Sequence, residues 1–294
     1  MLTRRKFLYT GAAAAAGIAA LGTDGFLQRE HLQVKKPDIP LARLPAAFDG
    51  LTIAQLSDFH YDQRFSVQLI RRAVEIVNQL HPDLVVLTGD FVTAPMFEHG
   101  SHNARQSARR AGPCAQLLQM LQAPMGRFAV LGNHDAVSDS FRIIRDLQAH
   151  DIPVLQNRSV PFERGKARIW LAGVDDALDG MPDLGEALDK VPSGEATILL
   201  AHEPDFADEA SLRHVDLQLS GHSHGGQIWI PGIGAPWLPS LGRKYPRGLY
   251  KVGNLTLYTN IGIGTIRAPV RINCPPEITL ITLRAGQSKS SSVS

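Results

Sequence analysis

From Leu51 onward, short runs of β-branched and aliphatic residues alternate with turns rich in glycine, aspartate and histidine, and several of these turns lead into helical stretches. The runs that read as strands cover residues 51–56, 84–88, 128–131, 169–173, 197–201, 217–219, 227–230, 255–259 and 278–283. Val67, Ile70, Val74 and Val77 recur at helical spacing and predict a helix over 66–80 with one buried stripe. Ile143, Ile144 and Leu147 repeat the pattern after Ser138 or Asp139, either of which suits the N-cap. Strands alternating with helices of this length imply an α/β class. The later strands, from about 217 to 283, follow one another without helices, which implies antiparallel hairpins toward the C-terminus. One continuous domain over 38–284 accommodates all of them.

Composition agrees with a globular chain. Of 294 residues, 44% are hydrophobic and 20% charged, too apolar for a disordered chain and too polar for a multi-span membrane protein. The net charge of +2 hides an asymmetry. Residues 1–37 hold six Lys/Arg against Asp24 and Glu30, and the last ten residues hold only Lys289, so the body carries 23 basic and 26 acidic groups, a net −3. No basic field exists to steer nucleic acid, and no nucleic-acid partner is expected. Cys114 and Cys274 form neither a disulfide scaffold nor a zinc-ribbon spacing.

The excess charge at the N-terminus has its own meaning. Thr3-Arg4-Arg5-Lys6-Phe7-Leu8 precedes an Ala/Gly-rich apolar run, the order of an export signal, and the paired arginines resemble a twin-arginine signal. Residues 1–37 therefore read as signal or anchor plus a polar, Pro-bearing linker over 28–40, and residues 285–294 as a disordered Ser-rich tail. Export through the twin-arginine machinery, to a periplasmic location or an anchored position on the outer face of the cytoplasmic membrane, is the expectation.

The residues that carry chemistry stand just beyond the ends of the apolar runs. They are Asp58-Phe59-His60, Gly89-Asp90, Gly132-Asn133-His134-Asp135, Ala201-His202-Glu203 and Gly221-His222-Ser223-His224-Gly225-Gly226. In open α/β sheets ligands bind at that edge, so five separated turns would converge on one crevice. Two carboxylates (Asp58, Asp90), four imidazoles (His60, His202, His222, His224) and one amide (Asn133) suit divalent first-row metals. Seven such ligands are too many for one tetrahedral ion and about right for two. Two metals at close range clamp the attacking and leaving oxygens of an in-line phosphoryl displacement and lower the pKa of a bridging water.

This order of motifs resembles that of the calcineurin-like binuclear metallophosphoesterase superfamily, and the stretch Gly221–Gln227 with Gly262, Gly264, Arg267, Pro276 and Glu277 resembles its exported phosphodiesterase-type branch. The resemblance implies a four-layer α/β/β/α sandwich of two mixed sheets. It places Asp58, His60 and His224 on one metal, Asn133, His202 and His222 on the other, and Asp90 between them. His134 would stabilise or protonate the leaving oxygen, and Asp135 would orient His134 and fix its tautomer. The cofactors would be two divalent ions, Mn, Fe or Zn. Related hydrolases act on UDP-2,3-diacylglucosamine and other lipid-linked or nucleotide diphosphates, so the expected substrate is a phosphodiester or pyrophosphate, with lipid-linked phosphates included. A phosphomonoesterase with the same site, and a membrane-associated binding protein with a vestigial one, are the alternatives.

Outside the motifs, residues 228–250 interleave Trp229, Trp237, Tyr245 and Tyr250 with Arg243, Lys244 and Arg247, with Lys251 following, and are stiffened by four prolines. Such a loop serves either as a wall for an amphiphilic phosphate ester, with membrane-surface contact, or as local core. Arg267 and Arg271 are candidate phosphate contacts. Asp175-Asp176 reads as a structural turn, with approach to the site as the alternative, and the remaining histidines read as solvated.

Overall fold

The computed structural model describes residue 25 and residues 28–95 and 101–286. The leader and tail motifs, and His99, lie outside them. Twelve strands form two mixed sheets among the described residues. In the first, β1 (Gln33–Lys35) and β2 (Asp38–Leu41) both lie parallel to β12 (Glu277–Ala285), which runs antiparallel to β3 (Thr52–Leu56); β4 (Leu84–Thr88) and β5 (Arg127–Val130) continue parallel to β3. In the second, the order is β10 (Gly248–Val252), β11 (Leu255–Thr259), β9 (Leu217–Ser220), β8 (Ala196–Leu200), β7 (Ala167–Gly173) and β6 (Arg158–Arg164), with antiparallel pairs at both edges.

Period-two alternation sorts each strand's side chains between two cores. Ile53, Leu84 and Val86 point inward to meet Ile169, Ile198, Leu200 and Leu219 from the other sheet. Ala54, Val85 and Leu87 point outward onto α1 (Val67–Leu80), α3 (Ala111–Leu118) and α5 (Ser140–Gln148). On the far side, Ala172, Leu199 and Leu257 pack against α6 (Leu184–Leu188) and α7 (Ala207–Ala210). The result is four layers, α/β/β/α. Strands covered on both faces need continuous apolar runs, which is why β4 and β8 are buried at every position. The stripe of α1 buries Ile70, Val74 and Val77, each contributing about 1.5–3 kcal/mol by removal from water. Asp139 caps α5 by accepting the Arg142 N–H, while Ser138 donates to the His134 carbonyl instead.

Two expectations need correction. Residues 227–230 form no strand: Gln227 is left-handed at φ 59°, and only single bridges, Ile228 to Ile272 and Ile230 to Gly234, hold the segment around the Pro231-Gly232 turn. The polar stretch over 28–40 is more than a linker, because β1 and β2 sit in the sheet and the Arg29 side chain is buried. The short helices α2 (His102–Ser107) and α3 also went unpredicted. Among the described residues no helix is long and apolar enough to cross a membrane.

Candidate metal centre

All the strand ends that carry the motifs point the same way, β3, β4 and β5 from one sheet and β8 and β9 from the other. The turns beyond them interlock across the sheet interface. Asp58 accepts the His222 N–H on both oxygens (3.0 and 3.1 Å), His202 Nδ1 meets the Thr88 carbonyl at 2.5 Å, and Gln55 reaches the Ser220 carbonyl. Close approach requires glycine at two places. A Cβ at Gly221 would strike Ser57 and Asp58, and one at Gly132 would strike Asp90 and His202. Asp58, His60, Asp90, His222 and His224 all have φ between 41° and 68°, a left-handed conformation that non-glycine residues rarely hold. Such outliers cluster where the surrounding structure over-determines them, often at functional sites.

The geometry joins the seven side chains into one centre. The ligand atoms of Asp58, His60, Asp90 and His224 lie within 4.8 Å of one another, and those of His202, Glu203 and His222 form a second such group. Asp90 Oδ2 connects them, standing 3.4 Å from His60 Nε2 and 3.3 Å from His202 Nε2. Asn133 Oδ1 joins the second group at 3.1 Å from His222 Nδ1.

The tautomers show what belongs between these atoms. His202 Nδ1 donates to the Thr88 carbonyl and His222 Nε2 donates to the Ser240 carbonyl at 2.8 Å, so a neutral His202 turns a lone pair on Asp90 Oδ2, and His222 turns one on Asn133 Oδ1. His60 Nδ1 is engaged by Thr93 Oγ1 at 3.1 Å, and its Nε2 stands 3.0 Å from His224 Nε2. Buried His202 Nε2 and His224 Nδ1 have no hydrogen-bond partner. His222 Nδ1 and Asn133 Oδ1 thus face each other as acceptors at 3.1 Å in a buried crevice, as a neutral His202 faces Asp90, and such pairs repel unless cations sit between them. The residues therefore fit two divalent metal ions.

Electrostatics point the same way. Burial, assisted by neighbouring imidazoles, drives His60 and His222 down to about 3 and His224 well below its usual range, so these rings are neutral and ready to ligate. Burial pushes Asp58 up to about 6. Burial also opposes the charged forms of Asp90 and His202, but their mutual attraction wins, holding Asp90 well below and His202 well above their ordinary values. A proton on His202 thus compensates Asp90 where a cation would otherwise do so.

His134 is half-buried at the rim, its ring 5.0 Å edge-on from that of His60. Its Nδ1 accepts the Ala94 N–H at 3.1 Å, leaving the proton on Nε2. Asp135 does not touch His134 through its side chain, which corrects its expected orienting role. It is fully buried and accepts the N–H groups of Phe91, Val92 and Gly132, tying the turn after Asp90 to the turn before Asn133. Arg271 is also corrected: wholly buried, it spends its donors on the carbonyls of Ile261, Gly262, Gly264 and Cys274, and its charge helps keep His60 and His224 neutral. Arg267 is exposed, with its guanidinium 4.1 Å over the Trp237 ring. Asp175 and Asp176 accept backbone N–H groups of their own turn, as a structural turn does. Cys114 and Cys274 are buried and unpaired. Sequence reasoning missed Thr88 and Ser240, whose backbone carbonyls set the tautomers of His202 and His222, and Thr93, whose hydroxyl engages the His60 ring. It also passed over Glu203, whose Oε2 accepts the Ala177 N–H beside His202.

Residues 51–226 match the profile described as calcineurin-like phosphoesterase. The chain belongs to the calcineurin-like phosphoesterase family. It is 34% identical over 293 residues to the uncharacterized metallophosphoesterase YkuE of Bacillus subtilis, covering 97% of this chain and 98% of that one. It is 29% identical to the phosphodiesterase YaeI of Escherichia coli, covering 96% and 100%. A solved dimetal phosphatase from Danio rerio aligns over 73% of this chain and 88% of its own with 14% identity and a TM-score of 0.47. This calcineurin-like protein is accordingly a metal-dependent phosphoesterase, and its centre is one for two divalent ions of open identity.

Proposed function

We propose that the enzyme hydrolyses phosphate diesters or pyrophosphates, with Asp58, His60 and His224 holding one metal, Asn133, His202 and His222 the other, and Asp90 shared. The observation that carries this reading is Asp90 Oδ2, which stands between a histidine of each group. The ions, when bound, supply positive charge to the phosphoryl oxygens and acidify a water. The chain's own residues do the rest. Ala94 fixes the His134 tautomer, and Nε2–H is then the donor for the oxygen that departs. Thr93 and Thr88 hold the His60 and His202 rings in register, and Asp135 keeps the turns on either side of Asp90 and Asn133 at a fixed spacing.

Lipid-linked substrates, membrane-surface contact and export complete the proposal. Ile233 and Trp237 leave 78% and 46% of their surface exposed beside the site, and Arg247 stacks on Trp229. The Gly25 carbonyl accepts the Arg271 N–H, next to Ile272, which in turn accepts the Trp229 N–H. Gly25 therefore lies beside this exposed apolar loop, an arrangement suited to amphiphilic phosphates.

After chelation and addition of Mn²⁺, bis(p-nitrophenyl) phosphate should be turned over faster than p-nitrophenyl phosphate. A preference for the monoester would establish the phosphomonoesterase alternative, and metal-independent silence toward both would leave only a binding protein. Replacement of Arg4 and Arg5 by Lys should retain the protein in the cytoplasm; unchanged export would remove the twin-arginine assignment.

A further inference from the structure

Next to His60 the centre opens into a cavity of about 230 Å³ that none of the metal-site roles uses. His60 and Thr93 form its shared wall with the metal centre, so it adjoins the half of the centre built by Asp58, His60 and His224. Three arginines line it, Arg29, Arg110 and Arg267, the last with its guanidinium stacked on Trp237, against one acidic residue, Asp62. That carboxylate is already engaged by the Arg64 N–H at 2.8 Å. Arg29 pairs with Glu30 at 3.0 Å and lies 4.9 Å over the Phe65 ring. Arg110 and Arg267 are exposed and have no carboxylate partner among the described residues. The rest of the wall sets the apolar side chains of Phe65, Leu69, Ile263 and Pro269 beside the hydroxyl residues Ser66 and Thr265.

Two cations without counter-charges beside a site that already concentrates positive charge make a strong anion trap. His60 turns Nε2 to Asp90 and His224 and Nδ1 to Thr93 on the cavity wall, so its ring would separate a phosphate held at the metal centre from the cavity. The guanidinium groups therefore face a different part of the same molecule, and the apolar wall suits the carbon skeleton that joins the two parts. We infer that this cavity is a second-anion subsite: it selects phosphodiesters that carry a further phosphate or carboxylate on the group that stays attached to phosphorus. The inference rests on the phosphodiesterase reading and adds substrate selectivity to it.

A matched pair of probes tests it, thymidine 5′-(p-nitrophenyl phosphate) with and without a 3′-phosphate. The two share leaving group and reacting phosphorus and differ only in the second anion. The wild-type enzyme should favour the 3′-phosphorylated diester by about tenfold in kcat/KM, mostly through KM, and the preference should shrink as salt rises. In the Arg110→Gln, Arg267→Gln double variant the preference should collapse toward unity, and the corresponding Lys double variant should regain part of it. No preference in the wild type, or a preference that survives in the Gln variant, would overturn the subsite while leaving the phosphodiesterase reading intact. Turnover of neither diester with metal supplied would overturn both.

Discussion

The floor and the rim of the site are built in opposite ways. The floor consists of turns that close parallel strands of both sheets, and its carboxylates and imidazoles are almost wholly buried and pinned by backbone groups. The rim, formed by the segment around Trp229–Trp237 and by Thr265–Pro269, has no regular strand, exposes apolar and arginine side chains, and rests on ring stacking. The difference teaches that the chemistry is fixed by the fold, whereas the choice of substrate is left to segments that can vary without disturbing it.

This comparison breaks if floor and rim respond alike to mutation. The largest effect belongs to His134, which stands where the floor meets the rim. His134→Ala should lower kcat roughly 10²–10⁴-fold on a diester with a poor alkyl leaving group. The loss should be much smaller with p-nitrophenolate, which departs without a proton. Equal losses on both, in metal-loaded protein, would remove the proton-donor role.

Thr93→Val should weaken metal retention by roughly 10–100-fold, because the His60 ring loses the partner that orients it. Competition with a graded series of chelators measures this directly, and unchanged affinity would mean that Thr93 only fills space.

Acidification gives the next effect. Asp58 is pushed up to about 6 and His202 is held above its usual range, so both carry protons that a metal must displace, while His60 and His222, at about 3, do not compete. Metal affinity should therefore rise with pH and fall steeply below about pH 6, by roughly tenfold per pH unit for each proton displaced. Binding titrations in buffers of different ionisation enthalpy should show protons released near neutral pH, and a flat profile from pH 5 to 8 would contradict the floor's electrostatics.

The smallest effect should come from the rim. Trp237→Ala, which removes a half-exposed ring and its Arg267 stacking, should lower unfolding free energy by about 1 kcal/mol and leave metal content untouched. A loss of bound metal would show that rim and floor are one unit.

The floor was legible in the sequence because its residues sit at a fixed place, immediately after apolar runs that identify themselves. Asp58 follows β3 and His222 follows β9, so strand detection and motif detection reinforced each other. Their mutual spacing was not legible, since it depends on two sheets packing face to face. Asp135 and Arg271 were misjudged for one reason: a charged residue near a site suggests chemistry, yet both give their hydrogen bonds to backbone groups, which sequence does not reveal. The edge strands escaped for another. β6 is mostly exposed and contains Pro161, which an edge tolerates, and β10 buries no residue fully. Residues 227–230 show the reverse error, an apolar run that Pro231 and Gly232 turn back before it can pair.

The central claim is that seven side chains from two sheets hold two ions through one shared carboxylate. Elemental analysis of the purified protein, chelated, reconstituted and desalted, tests it most directly when run beside Asp90→Asn. The account predicts about two divalent ions per chain in the wild type and clearly fewer in the variant, with diester hydrolysis lost in parallel. One ion or none in fully active enzyme, or two retained in Asp90→Asn, would contradict it.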